Sequence, residues 1–462
     1  MNHIISRLLM YGSMPRESIL MQLGGIYGRF GRLKADMLQT GEVTEAEEQR
    51  RDAVRNELRL DVYRQIKRIM EVATQYGFDE NLWHNYLTFE IITNENPFSI
   101  TCEKVGASDG SVNYFAMNDF HAFRELFRFD FSELEKELGI DCFTHISGYR
   151  AIGKSEFMYN ANVSEKVRAL SRELGKAQDD QEFFDLVTEF YKAYGVGMFG
   201  LNKAFRILNK NEHDIEIIPI NNMDKVMLDD LIGYEIQKKK LIDNTKAFVQ
   251  GRKANNVLLF GDSGTGKSTS IKAIVNEFYG QGLRMIEIYK HQFKDLSNVI
   301  GRIKNRNYKF IIYMDDLSFE EFEIEYKFLK AVIEGGVETR PENILIYATS
   351  NRRHLIKETW KDRNDVEMDN GLHKSDTMEE KLSLANRFGV TINFSKPTQK
   401  EYFNIVIELA KKNGVDLPED MLRAEANKWE LSHGGISGRT AQQFINYVMG
   451  TMTAEANKWE LS

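Results

Sequence analysis

Residues 255–270 read Asn-Asn-Val-Leu-Leu-Phe-Gly-Asp-Ser-Gly-Thr-Gly-Lys-Ser-Thr-Ser, and no other stretch constrains the fold as strongly. The apolar run at 257–260 suits a buried parallel strand. It runs into Gly261, Asp262, Ser263, Gly264, Thr265, Gly266, Lys267 and Ser268, which fill the template G-x-x-x-x-G-K-[ST] at every fixed position, with Thr269 directly after it. A helical pattern of Ile271, Ile274, Val275 and Phe278 follows. Glycines let the backbone curl so that several N–H groups point into one anion-sized hollow at the positive end of a helix. Lys267 can then reach the β- and γ-phosphates of a nucleoside triphosphate, and the Ser268 hydroxyl can supply an oxygen ligand to Mg²⁺.

After this loop, strand and helix alternate. Runs at 285–289, 309–314, 343–348 and 390–394 read as further strands, with helices at 296–303, 326–333 and 378–386 between them. Together with 257–260 they predict an α/β domain built on a five-stranded parallel sheet flanked by helices. The charged stretch 355–377 reads as an exposed insertion, and residues from Pro397 onward are helical again. Residues 1 to about 215 read mainly as helices, among them one whose Val54, Leu58 and Val62 are spaced as on a surface helix. Only 98–115 looks more strand-like, with Gly106 and Gly110 interrupting it. Polar residues surround the short apolar stretch 215–220 and Pro219, one of six prolines, and this shift marks a domain boundary. The expected organisation is therefore a mostly helical partner or regulatory domain at 1–218, a nucleotide-binding α/β domain at 219–396, and a small helical lid with a tail at 397–462.

The strand at 310–314 ends in Asp315 and Asp316. An acid at the carboxyl end of a buried strand beside a phosphate loop is where a Mg²⁺ carboxylate belongs. Asp315 is assigned that role, and Asp316 that of positioning or activating the attacking water. A further strand ends in Ala348-Thr-Ser-Asn351, whose amide could bond the γ-phosphate or the water.

This set of motifs resembles the AAA+ ATPases, across residues 228–450. The resemblance implies Walker A at 261–268, Walker B at 310–316 and a sensor 1 residue at Asn351. It also implies an arginine finger at Arg387, in Leu-Ala-Asn-Arg-Phe-Gly, and a sensor 2 arginine at Arg439, in Gly-Ile-Ser-Gly-Arg-Thr-Ala. Ile232, Gly233 and Tyr234 resemble the segment lining the adenine pocket. A narrower likeness is to one bacterial AAA+ family catalogued only as a domain of unknown function. It rests on Ala254-Asn-Asn-Val-Leu-Leu, Asp315-Asp-Leu-Ser-Phe-Glu320, Glu334-Gly-Gly-Val-Glu-Thr-Arg-Pro341, Tyr347-Ala-Thr-Ser-Asn-Arg-Arg-His-Leu355 and Glu380-Lys-Leu-Ser-Leu384. One departure stands out: Asp316 occupies the place where most AAA+ members carry Glu, and Glu320 or Glu321 could reach in for it.

The implied function is a Mg²⁺-dependent ATPase that works as a homo-oligomer, such as a hexamer, to remodel or load a macromolecular partner held by the N-terminal domain. A nucleotide-gated switch or scaffold with little turnover, and a DNA-associated loader, are the competing readings. The net charge of −8 disfavours a chain that coats nucleic acid by bulk electrostatics. Phe120, Phe123, Phe127, Phe129 and Phe131 could stack bases but fit a core or partner interface better. Two cysteines in 462 residues, in no metal spacing, suit a reducing compartment, and no stretch approaches a membrane span. The cytoplasm is the expected location.

Two features mislead or stand apart. Gly-Val-Gly-Met-Phe-Gly at 195–200 fits the dinucleotide fingerprint G-x-G-x-x-G, but a helical pattern precedes it where a strand is required. The nine residues Ala-Glu-Ala-Asn-Lys-Trp-Glu-Leu-Ser at 424–432 recur identically at 454–462, which reads as a terminal duplication or a sequence-assembly artefact rather than a repeat architecture.

Overall fold

The computed structural model describes residues 1–38, 44–151, 161–211, 214–221, 223–319, 325–334, 341–351, 355 and 384–459. They form two compact units, Met1–Asn202 and Lys203–Ser462.

The first unit is helical. Its longest helix, Glu45–Tyr76, starts on a capping box: the Thr44 N–H donates to the Glu47 carboxylate at 2.8 Å, and the Thr44 hydroxyl accepts from the Glu47 N–H at 3.3 Å. It stops at Gly77, whose φ of 69° is the left-handed conformation that ends helices. Leu58 and Val62 are buried along its inner face, as their spacing predicts. The stretch expected to be strand-like instead forms the helices Pro97–Val105 and Ser111–Phe127. Its local signals favour that outcome. Asn96 caps the first helix by accepting from the Ser99 N–H at 2.9 Å, Pro97 sits in its opening turn, and Gly106 and Gly110 punctuate the chain between the two. Phe120, Phe123, Phe127 and Phe131 are buried in the core of this unit, so their faces are taken by neighbouring rings rather than offered to bases.

The second unit is built on one sheet of seven strands, where five were expected. The strands are β1 (Ala204–Asn211), β2 (Asp214–Pro219), β3 (Val257–Gly261), β4 (Leu283–Glu287), β5 (Lys309–Met314), β6 (Ile344–Ser350) and β7 (Val390–Phe394), in the spatial order β2-β1-β4-β5-β6-β3-β7. The two additional strands form an antiparallel hairpin, and β1 pairs in parallel with β4. This corrects the reading of 215–220 as a boundary segment: Ile215 and Ile207 are buried, and the division between units falls after Asn202. Composition hid the hairpin because a short edge strand exposes one face and so reads as polar.

β3 to β7 are mutually parallel, and β5 and β6 are buried nearly end to end, which explains their unbroken apolar sequences. β3 lies between β6 and β7. From β3 the chain crosses to β4, returns through β5 and β6, and then passes to the far side as β7. The direction of winding therefore reverses at β3, and the crevice at the carboxyl end of such a strand is where ligands bind in parallel α/β sheets. Helices Gln399–Lys412, Glu419–Ser432 and Gly438–Trp459 then pack around a small core that includes Tyr402, Val406, Leu422, Ala426 and Ile445. The expected architecture is thus present: a mainly parallel sheet with a small helical domain after it. The expected insertion at 356–377, Glu320, Glu321 and the last three residues of the second nine-residue copy lie outside the described residues.

Candidate nucleotide site

β3 delivers the chain into the loop 261–266, and the helix Lys267–Phe278 leaves it. The helix begins at Gly266, whose φ is 90°. Gly261 must be glycine for two reasons: its φ is 131°, and a Cβ there would stand 2.2 Å from the Phe394 carbonyl oxygen on β7. The Lys267 side chain is buried, and its ammonium donates to the carbonyls of Gly261 at 2.8 Å and Asp262 at 2.6 Å and to Asn351 Oδ1 at 3.1 Å. Burial lowers the pKa of this amine, against the pull of Asp262, Asp316 and Asp315. A cation so placed, with few waters around it, is a strong partner for phosphate.

The strand register brings the acids to the same place. Leu259 pairs with Thr349 and Phe260 with Ser350, while Met314, the last residue of β5, pairs with Ala348. Asp315 therefore emerges beside the loop. Its Oδ1 accepts from the Ser268 hydroxyl at 2.7 Å, the Thr349 hydroxyl at 2.6 Å and the Asp316 N–H at 3.2 Å. Burial pushes the Asp315 carboxyl up, but these hydrogen bonds, led by Thr349 and Ser268, outweigh it and hold the pKa below the usual carboxylate value. Asp316 has a φ of 48°, one of four non-glycine residues with positive φ among those described. Its Oδ1 accepts from Asn351 Nδ2 at 2.8 Å. Asn351 thus links the ammonium of Lys267 to the carboxylate of Asp316.

These groups line a cavity of about 910 Å³ between the loop and the lid, within the size range of small-molecule sites. Ser263 to Thr269, Asp315, Asp316, Asn351 and Arg439 all face it, as do Ile232 and Tyr234. Gly233, Gly261, Asp262 and Arg387 do not line it. Gly233 instead supplies a φ of 81° ahead of the helix Glu235–Val249, and the Asp262 carboxylate accepts from the Lys396 N–H at 2.9 Å. The Tyr234 ring packs on Phe394 at 5.1 Å and its hydroxyl donates to the Ser395 carbonyl at 2.8 Å. Arg387 is half-buried and stands just ahead of β7. Ile405, Leu409, Lys412, Asn413, Gln442 and Gln443 complete the lid side of the cavity. None of these was identifiable from sequence, because they join the site only when the lid folds over it.

The residues present suit a hard divalent cation. Ser268 and Asp315 offer a hydroxyl and a carboxylate held deprotonated. No group of three or more His, Cys, Asp or Glu placed to hold a metal ion occurs among the described residues. Mg²⁺ carried by one carboxylate, one hydroxyl and phosphate oxygens needs none.

The fingerprint decoy at 195–200 is explained in the other unit. It follows the helix Asp180–Tyr194, and the N–H of Val196 donates to the buried Glu103 carboxylate at 3.0 Å.

Residues 201–452 match the family described as "Protein of unknown function (DUF815)". The chain belongs to that family. No curated protein matches the DUF815 chain. Among solved structures it is similar to a single-substitution variant of Thermotoga maritima RuvB, with 18% identity, 51% of this chain and 67% of that chain covered and a TM-score of 0.36. It is also similar to a Thermotoga maritima RuvB described as a Holliday junction branch migration motor, with 16% identity, 49% and 72% coverage and a TM-score of 0.30. A third is the FIGL-1 AAA domain in complex with ADP, with 18% identity, 51% and 77% coverage and a TM-score of 0.35. No described helix is long and apolar enough to cross a membrane.

Proposed function

We propose that this DUF815 protein binds ATP with Mg²⁺ and hydrolyses it, working as a cytoplasmic homo-oligomer that remodels or loads a macromolecular partner. The observation that carries the reading is the bridge from Lys267 through Asn351 to Asp316, set in a cavity between phosphate loop and lid. In this reading the backbone N–H groups at 263–268 and Lys267 hold the β- and γ-phosphates, and Ser268 and Asp315 hold Mg²⁺. Bound there, Mg²⁺ neutralises charge shared by the β- and γ-oxygens. Ile232, Tyr234, Ile405 and Leu409 supply apolar surface for the base. Asp316 accepts a hydrogen bond from the attacking water and Asn351 keeps its carboxylate aimed. Arg439, whose charge is felt at Lys267, faces the phosphates from the lid.

The test is phosphate release together with ATP binding by calorimetry. Asp316→Asn is expected to bind Mg²⁺–ATP within about threefold of the parent while losing hydrolysis by about a hundredfold or more, in the range of general-base losses. Lys267→Ala is expected to weaken ATP binding at least about tenfold, or about 1.4 kcal/mol. Wild-type affinity in Lys267→Ala would mean that the loop is not the site. Undiminished hydrolysis by Asp316→Asn would transfer the role to Glu320 or Glu321. A second reading, a slow nucleotide-gated switch, is favoured by the short Asp316 arm being tied to Asn351; it predicts tight ATP binding with negligible phosphate release by the parent protein.

A further inference from the structure

Asp315 and Asp316 sit at the end of β5, and besides Ser268 what fixes them comes from β6 and the residue that follows it. The Thr349 hydroxyl is the junction. It donates to Asp315 Oδ1 at 2.6 Å and accepts from the Asp316 N–H at 2.9 Å. One hydroxyl therefore uses its proton on the first acid and a lone pair on the backbone of the second. The Thr349 side chain is buried, so water does not compete for either bond. The backbone on both sides is gripped as well: the Leu317 N–H donates to the Thr349 carbonyl at 2.7 Å, and the Ser350 hydroxyl donates to the Leu317 carbonyl at 2.7 Å.

The junction matters because the turn it holds is unfavourable. Asp316 stands at φ 48°, a left-handed conformation that costs an L-residue free energy unless surrounding contacts impose it. With the amide of Asp316 held by Thr349 and its carboxylate by Asn351, the second acid is fixed at both ends. The first acid shares the same hydroxyl. A displacement of either is thereby transmitted to the other.

We propose that Thr349 is a positioning residue that locks Asp315 and Asp316 into one geometry for Mg²⁺–ATP. The inference rests on the nucleotide-site reading above. Thr349 lines the same cavity, and the role proposed for it is exerted through the two acids it bonds.

The test compares Thr349→Val, which keeps the shape and removes the hydroxyl, with Thr349→Ser, which keeps the hydroxyl. The main readout is the gain in ATP affinity on adding Mg²⁺, measured by calorimetry as the ratio of Kd in EDTA to Kd in Mg²⁺. Thr349→Val is expected to bind ATP in EDTA within about threefold of the parent but to lose at least about tenfold of the Mg²⁺-dependent gain, as befits a lost hydrogen bond to a charged group. Thr349→Ser is expected to retain the gain within about threefold. Hydrolysis should follow the same order. Should Thr349→Val fail to fold, Thr349→Ala, also lacking the hydroxyl, must show the same loss. A full Mg²⁺ gain in either hydroxyl-free variant overturns the proposal while leaving the site reading intact. A parent protein that binds no ATP under any condition overturns the site reading itself and this inference with it.

Discussion

Asp316 is where residue-level detail changes the expected chemistry. From sequence alone its short side chain looks like a weakness, because most members of the AAA+ family that the sequence resembles carry Glu in that place. The backbone gives another account. At φ 48° aspartate and asparagine are tolerated far better than glutamate, and the short arm already reaches Asn351 at 2.8 Å. Asp316→Glu is therefore expected to destabilise the protein by about 1 kcal/mol, a shift in melting temperature of about 2–4 °C for a unit of this size, with no gain in turnover. Differential scanning fluorimetry and phosphate release measure both. Faster hydrolysis at unchanged melting temperature would show that the backbone does not select aspartate. The loop 261–268, Asp315, Asp316 and Asn351 were legible because their chemistry depends on local spacing. The role of Thr349 and the left-handed turn at Asp316 were not, because they depend on β6 lying against β5, which no local pattern specifies.

At the scale of elements, the lid rests on the phosphate loop. The helix Gly438–Trp459 begins there: the Arg439 N–H donates to the Gly264 carbonyl at 3.1 Å, and the Ser437 hydroxyl accepts from the Thr440 N–H at 3.1 Å. The phosphate-loop template leaves position 264 open to any residue, whereas the lid does not. A Cβ on Gly264 would lie 3.0 Å from the Ser437 hydroxyl oxygen and 3.1 Å from Arg439 Cβ, at a φ of 76°. Gly264→Ala should thus loosen the lid while leaving every template residue in place. We expect about a tenfold loss of ATP affinity, the equivalent of about 1.4 kcal/mol, accompanied by faster proteolysis within 397–459. Unchanged affinity and unchanged proteolysis would mean that the lid is not seated through Gly264. The same scale shows why some elements could be read and others not. Buried parallel strands such as β5 and β6 announce themselves as apolar runs. The β1–β2 hairpin, half-exposed at the sheet edge, and the capped helix at Pro97–Val105 needed tertiary pairing and cap geometry to be recognised.

For the whole molecule the decisive question is whether one chain holds a complete site. Lys267, Asp316, Asn351 and Arg439 face the cavity of their own chain, but Arg387 does not, although the AAA+ likeness gives it a part in hydrolysis. It lies within a short turn that ends at Phe388, just before β7, and its side chain is half-buried. We propose that in an oligomer Arg387 completes the site of a neighbouring subunit by stabilising charge on the transferring phosphoryl group. Comparable arginines in GTPases contribute about 10³ to 10⁵ in rate. The competing role is purely local, closing its turn through nearby carbonyls. Mixing separates the two. Arg387→Ala should bind ATP yet be nearly inactive, and Lys267→Ala should be inactive through lost binding. When the two are mixed, some interfaces pair an intact pocket with an intact arginine, so part of the activity should return. If the mixture co-assembles by light scattering and no activity returns, Arg387 acts within its own chain.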